Sequence, residues 1–244
     1  MPILDELRKT DNLIRQHHPH QAGAPILRAE NLFVRYENTI ALEEMSFELR
    51  TGERLAVVGP NGAGKSTMFK VFAGVQKQSS GKVTVFGHEP GGHICIAYVP
   101  QRNQVDWSFP VNVSDVVMMG RVGKLRLFRH PRRRDWQVVQ EALEFVGMQH
   151  LADRQISELS GGQQQRVFIA RALAQEAELM LMDEPLSGLD INSQDKIFQI
   201  LDELRQREVT VLVAMHDLQL AAQRFDRVML LNVMLIGLGT PEEV

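Results

Sequence analysis

The chain of 244 residues carries 27 Lys and Arg against 30 Asp and Glu, a formal charge of -3, with 44% hydrophobic and 23% charged residues. That length suits one sizeable domain, or a domain with a subdomain, and the composition excludes disordered, collagenous and coiled-coil classes. No global basic field is available to hold nucleic acid, so any polyanion site is local and no nucleic-acid partner is expected. The one cysteine, Cys95, cannot form an internal disulfide and points to a reducing compartment. Apolar stretches fall well short of the ~18 residues that span a bilayer, and the N-terminus lacks the apolar segment of a secretory signal.

Residues 1–24 are polar without an amphipathic period and are expected to form a flexible extension ahead of a folded domain at 25–244. His17, His18 and His20 surround Pro19. They are able to bind a metal, but with no acid or thiol close by in sequence they read as a solvated tail. From 26 to 86 the pattern alternates: Met45, Phe47 and Leu49 are apolar while Ser46, Glu48 and Arg50 are polar, and Val83 and Val85 repeat the period. This predicts half-exposed, antiparallel strands. Four continuous apolar runs, 55–58, 94–99, 179–182 and 211–215, predict instead strands buried on both faces, as in a parallel α/β sheet. Each run stops at a polar or glycine-rich turn: Gly59 to Lys65, Gln101, Asp183 with Glu184, and His216. Ligands of open α/β sheets bind beyond the carboxyl ends of strands, so these four ends predict one site.

Between about 103 and 160 the composition predicts an inserted helical region. A short helix is expected at 113–120, and a longer one with Asp135 as N-cap and an apolar stripe through Val138, Val139, Ala142, Leu143, Phe145 and Val146 up to Gly147. From Arg121 to Arg134 basic residues recur without an acid, which suits a solvated loop as well as a docking surface or a face for an anionic membrane.

The sequence Gly-Pro-Asn-Gly-Ala-Gly-Lys-Ser-Thr at 59–67 fits the phosphate-binding loop pattern, follows an apolar strand and precedes a helical run. Gly59, Asn61, Gly62, Gly64 and Thr67 belong to a loop whose backbone N–H groups converge on phosphate, and the helix start adds its dipole. Lys65 brings a charge to the β- and γ-phosphates, and the Ser66 hydroxyl suits a magnesium ion. Asp183, at a buried strand end, suits the same ion; Glu184 suits a base that orients and deprotonates the attacking water. Leu-Ser-Gly-Gly at 159–162 opens a strongly helical segment, so Ser160, Gly161, Gly162 and Gln163 form a second candidate anion site at a helix start.

The phosphate-binding loop, Gln101, Leu-Ser-Gly-Gly-Gln-Gln-Gln-Arg at 159–166, Leu-Met-Leu-Met-Asp-Glu-Pro at 179–185, Ser-Gly-Leu-Asp at 187–190 and His216 together resemble, in order and spacing, the ATP-binding subunit of an ABC transporter. The resemblance covers about residues 26–244. It implies a P-loop ATPase core of α/β class with an antiparallel β subdomain and an inserted α-helical subdomain, and ATP and Mg2+ as cofactors. It also implies a head-to-tail homodimer in which each nucleotide is completed by the Ser160–Gly162 loop of the other chain. By the same resemblance Tyr36 stacks on adenine, Gln101 contacts magnesium and the membrane partner, Asp190 lies in the cross-dimer loop, and His216 senses the γ-phosphate. The segment 104–121 resembles importers of manganese, zinc or iron. An integral membrane permease, an extracytoplasmic metal-binding protein and a place on the cytoplasmic face of a bacterial membrane follow as expectations. Two departures stand out: Val233 occupies a position where a polar turn residue is expected, which leaves the strand pairing at 230–236 open, and family members usually continue past Val244, so a truncated end is expected. The main alternative is a soluble ABC-type ATPase of cluster assembly, since the single P-loop and the short 65–159 interval disfavour translation factors and coiled-coil repair ATPases. A P-loop small-molecule kinase leaves Ser160–Gln163 and 187–190 without a role.

Overall fold

A computed structural model describes His20 and residues 23–91, 94–125 and 130–244. His17, His18, Arg126 and Arg129 lie outside the described residues. The strands are β1 (Leu27–Tyr36), β2 (Thr39–Leu49), β3 (Arg54–Val58), β4 (Ser80–Val85), β5 (Ile96–Val99), β6 (Leu179–Asp183), β7 (Thr210–Met215), β8 (Arg227–Asn232) and β9 (Met234–Gly239). The helices are α1 (Lys65–Phe72), α2 (Val113–Met118), α3 (Arg133–Phe145), α4 (Gly161–Ala174), α5 (Ile191–Gln206) and α6 (Leu218–Arg224). Spatial strand order is β4-β1-β2-β9-β8-β3-β7-β6-β5. β5, β6, β7, β3 and β8 run parallel, while β4, β1 and β2 pair antiparallel.

The continuous apolar runs have a simple cause. Side chains alternate across a strand, and here both faces are covered. Ala56, Val58, Met180, Met182, Val211 and Val213 face a core shared with α2, α3, α4 and α5. Leu55, Val57, Leu179, Leu181, Leu212 and Ala214 face the other, shared with Met68, Phe69 and Phe72 of α1 and with β1, β2 and β4. In β2 the alternation survives as Met45, Phe47 and Leu49 buried and Ser46 and Glu48 exposed, because only one face meets a core. The fold class is therefore the predicted one.

Three local expectations are corrected, and one open point is decided. Asp135 does not cap its helix: Arg132 is the N-cap, and Asp135, one turn in, accepts from the Arg132 backbone N–H at 2.9 Å and from Arg121 Nε at 3.3 Å. The Arg132 bond is the chief cause that holds its carboxyl below the usual range. The run at 94–99 enters the sheet only at Ile96, because the Cys95 carbonyl accepts from both Glu178 and Leu179 N–H, at 2.9 and 3.0 Å, before the regular ladder begins. The helix expected at 113–120 ends at Met118 and tightens into a 3-10 turn over Met119–Arg121. Gly120 there rests against α4 so closely that a Cβ would stand 2.2 Å from the Arg171 carbonyl oxygen. Lastly, β8 and β9 do pair, antiparallel, from Val228↔Gly239 to Asn232↔Met234. Val233 makes their turn in the left-handed region at φ +63, pinned by its N–H donating to Ala63 O at 3.0 Å and its carbonyl accepting from Glu43 N–H at 2.9 Å.

Candidate active site

The loop between β3 and α1 lies at the carboxyl end of the sheet. Gly64, the N-cap of α1, has φ +93, and a Cβ on it would meet Ala41 O at 2.3 Å. At Gly59 the obstacle is the Leu231 carbonyl oxygen, which a Cβ would approach to 2.0 Å. Glycine at these points lets the loop curl between β2 and β8. Lys65 is only 4% exposed and its ammonium donates back into the loop, to Gly59 O at 2.7 Å and Pro60 O at 3.0 Å. Burial lowers its pKa, with the Glu184 and Asp183 carboxylates opposing.

Asp183, the last residue of β6, is 1% exposed. Its carboxylate accepts from the Tyr98 hydroxyl at 3.2 Å and has the Ser66 side chain beside it, yet Oδ1 is buried with no hydrogen-bond partner. Burial first, and then the neighbouring Glu184 charge, push this carboxyl above its ordinary value despite Ser66, Tyr98 and Lys65. Burial and Asp183 likewise push the Tyr98 hydroxyl up, so it stays a donor. Sequence reasoning missed Tyr98, whose signal is a hydroxyl in an otherwise apolar run one residue from the strand end.

Glu184 follows in a left-handed conformation, φ +49, which turns its side chain into the cleft as its N–H donates to Ala214 O at 3.2 Å. Oε2 accepts from Gln101 Nε2 at 2.8 Å, while Oε1 lies 2.6 Å from His216 Nε2 and 3.6 Å from Lys65 Nζ. His216 Nδ1 lies 3.2 Å from Gly59 O, so the imidazole bridges the loop and the acid. Three of the four predicted strand ends thus converge on the P-loop through Gln101, Glu184 and His216. Tyr36, Asn61, Gly62, Gly64, Lys65, Ser66, Thr67, Gln101 and Glu184 line one cleft of 470 Å³. Tyr36, at its mouth, is 41% exposed, and its hydroxyl donates to Gln76 Oε1 at 2.9 Å.

Ser160, Gly161, Gly162 and Gln163 do not line this cleft. They form a reciprocal cap on α4: Ser160 Oγ accepts from Gln163 N–H at 3.4 Å, and Gln163 Oε1 accepts from Ser160 N–H at 2.8 Å. Asp190 caps α5 without reciprocity, accepting from both the Ser193 N–H and hydroxyl at 3.0 and 2.7 Å, and a Cβ on Gly162 would stand 2.5 Å from that Ser193 oxygen. The two helix starts are therefore packed on each other. One chain presents the glycine-rich loop in its cleft and a second helix start elsewhere. A larger groove of 530 Å³ among α3, α4 and Arg207 has no convergent catalytic groups.

Known proteins are similar along most of the chain. The sequence profile of the family described as ABC transporter matches residues 42–187. The manganese transport system ATP-binding protein MntB of Halalkalibacterium halodurans is 46% identical over 220 residues, 90% of this chain and 88% of that protein. The zinc transport system ATP-binding protein TroB of Treponema pallidum is 47% identical over 219 residues, 89% of this chain and 82% of that one. Among solved structures, an inward-facing ABC transporter described as of metal-chelate type has a TM-score of 0.80 at 34% identity, covering 90% of this chain and 84% of its own. A bacterial ABC transporter cassette solved as a dimer has a TM-score of 0.77 at 26% identity, covering 88% and 98%.

Proposed function

The chain belongs to the ABC transporter family of ATP-binding proteins and is an ATPase of that type, and from this premise we propose that it powers a membrane importer of a divalent metal ion, manganese, zinc or iron. The observation that carries the ATPase reading is the meeting of Lys65, Gln101, Glu184 and His216 beside Ser66 and Asp183 in the cleft. The metal substrate rests on the MntB and TroB likenesses.

In this reading the triphosphate of ATP lies on the backbone of Gly59 to Thr67, with Tyr36 stacked on the adenine at the cleft mouth. Lys65 exchanges its Gly59 and Pro60 carbonyls for phosphate oxygens, charge-assisted bonds worth about 1.5–3 kcal/mol each. Ser66, Asp183 and Gln101 would hold Mg2+, and the unpartnered buried Asp183 Oδ1 beside the Ser66 hydroxyl fits a cation. Bound there, Mg2+ neutralises charge on the β- and γ-phosphate oxygens. Glu184 orients the attacking water and takes its proton, an effect of typically 10² to 10⁴ in rate. His216, held between Gly59 O and Glu184, fixes the acid and reaches the terminal phosphate.

The second helix start finds its use in a second copy of the chain. Placed head to tail, each copy lays its Ser160–Gln163 turn over the nucleotide of the other, and Asp190 borders that contact. The dimeric cassette supports pairing of two copies. Loss of the γ-phosphate removes the contacts that close the pair. The helical subdomain at about 103–160 passes the motion to an integral membrane permease, with the basic 121–134 stretch near that contact, and an extracytoplasmic metal-binding protein supplies the ion. The chain then sits at the cytoplasmic face of the membrane; among the described residues no helix is long and apolar enough to cross it.

Affinity purification from native membranes tests the reading. Recovery of one integral membrane protein, and loss of manganese, zinc or iron uptake when Lys65 is changed to Ala, is the expected result. Recovery of soluble partners alone, with uptake intact, would overturn it in favour of a cluster-assembly ATPase.

A further inference from the structure

The histidine-bearing N-terminal segment has no acid or thiol near it in sequence, but the fold supplies both. His20 Nε2 lies 3.4 Å from Cys95 Sγ, and His20 Nδ1 lies 3.5 Å from Glu178 Oε2. One donor atom from each of the three residues lies within 4.8 Å of the others. The positions are braced. The His20 ring stacks parallel on Phe86 at 3.6 Å. The Cys95 carbonyl holds the Glu178 and Leu179 N–H groups, and Gln175 Nε2 donates to Ile94 O and Ile96 O at 2.9 and 2.6 Å on either side of the thiol. Cys95 itself is 3% exposed, so its sulfur reaches inward toward His20 rather than toward solvent.

We propose that His20, Cys95 and Glu178 form a binding site for a borderline-soft divalent cation of the zinc class. A tetrahedral ion with bonds of about 2.0–2.3 Å has donor–donor edges of about 3.3–3.6 Å; because one imidazole nitrogen serves one ion, the donor atoms, now within 4.8 Å of one another, close to those edges by a turn of the His20 ring or the Glu178 side chain. The donor set decides the class: a thiolate, an imidazole and a carboxylate suit zinc, whereas manganese, magnesium and calcium prefer oxygen ligands throughout. As the metal–sulfur bond forms, the Cys95 thiol releases its proton to solvent. The site stands at the amino ends of β5 and β6. Asp183 is at the other end of β6, about 16 Å away at ~3.3 Å per residue, so this ion and the nucleotide do not share ligands. Its occupancy ties the N-terminal segment to Phe86 and the sheet.

The chain's one cysteine makes the test specific. Co2+ is titrated into the nucleotide-free full chain, and the near-ultraviolet thiolate-to-cobalt absorption is followed. The expected result is a band that saturates at one Co2+ per chain, disappears on adding Zn2+, and is absent in Cys95→Ser. His20→Ala and Glu178→Gln are each expected to weaken Co2+ binding by about tenfold or more. Zn2+ is also expected to protect Cys95 from alkylation in the wild type and not in His20→Ala, a readout that does not depend on the serine variant folding. Saturating Co2+ without a thiolate band, as from metal held on the His17–His20 run alone, or a band unchanged by His20→Ala, overturns the proposal.

Discussion

Asp183→Asn separates what the cleft costs the fold from what it does. The wild-type carboxylate has one oxygen bonded by Tyr98 and a second, Oδ1, buried without a partner. An unsatisfied buried acceptor costs about 1–3 kcal/mol. The amide keeps an oxygen for the Tyr98 hydroxyl and removes the buried charge, while its NH2 takes the unpartnered place of Oδ1, so the gain comes from the lost charge alone. Nucleotide-free stability should therefore rise by about 1 kcal/mol, roughly 2–4 °C in Tm for a chain of this size. The pH dependence fixes the sign. Burial raises the Asp183 pKa in the fold, so the folded state binds the proton more tightly than the unfolded state, and the penalty grows as pH rises from the ordinary carboxylate value through the folded one. The variant's advantage should vanish below about pH 4 and grow as the pH rises above it. With ATP and Mg2+ at ~100 Kd the wild type should gain about 2.7 kcal/mol, roughly 5–10 °C. The variant should gain only what ATP with EDTA gives. Scanning fluorimetry across pH measures all of this. A variant no more stable than wild type at pH 7, or one that keeps the full Mg2+-dependent gain, refutes the reasoning.

Glu184→Gln should bind ATP as wild type does and hydrolyse it 10²–10⁴ more slowly, accumulating an ATP-dependent dimer on size exclusion; normal turnover by a monomer removes the role given to this acid. Val233→Asn relieves a β-branched residue at φ +63 and should raise Tm by a few degrees, since such strain costs about 1–3 kcal/mol; a lower Tm by calorimetry contradicts it. Gly120→Ala places a Cβ 2.2 Å from Arg171 O and should lower the urea unfolding free energy by about 1–3 kcal/mol, with no change expected only if the α2–α4 contact is absent. The Cys95 thiol, pushed up to about 11 chiefly by burial and then by Glu178, should alkylate far more slowly at pH 8 than a free thiol in a metal-free sample, by mass spectrometry.

The sheet was legible because its physics is local. An apolar run such as 179–182 needs two covered faces, an alternation such as 45–49 needs one, and both readings survive in β6 and β2. The P-loop was legible because a backbone that must curl past Leu231 and Ala41 has no alternative to glycine at Gly59 and Gly64. What was not legible depends on approach between distant segments. Tyr98 matters only because Asp183 stands across β5–β6, and His20 gains a thiol and an acid only where Cys95 and Glu178 meet at the starts of those strands. Asp135 was misplaced by one turn because an acid at a cap and an acid three residues into the helix both answer unpaired N–H groups of the first turn, the one those inside the helix, the other, as here, that of the cap residue. Val233 defeats a turn rule because Ala63 and Glu43 hold its backbone from outside the hairpin.

That last contact bears on where the molecule departs from local rules. Non-glycine residues in the left-handed region include Glu37 at the β1–β2 turn, Asn31 and Glu44 at irregularities within those strands, and Glu176 and Glu208 just past helix ends, where this conformation is ordinary. Phe86, before Gly87, and Val233, between β8 and β9, lie at turns, although neither side chain is suited to that region; Glu184 has no such setting, and Glu184 and Val233 both border the P-loop: one faces Lys65, the other bonds Ala63. Asp183 Oδ1 adds a buried, unpartnered oxygen at the same place; Gln165 Nε2, on α4 beyond the Ser160 turn, and Arg54 Nε, 3.6 Å from Asp226, are its counterparts elsewhere. A strained acid, a strained turn and a desolvated carboxylate around one lysine are each destabilising by about 1–3 kcal/mol and do nothing for packing. The two-sided core of β3, β6 and β7 offsets them, and the departures gather where an ATPase must meet the charged phosphoanhydride it splits.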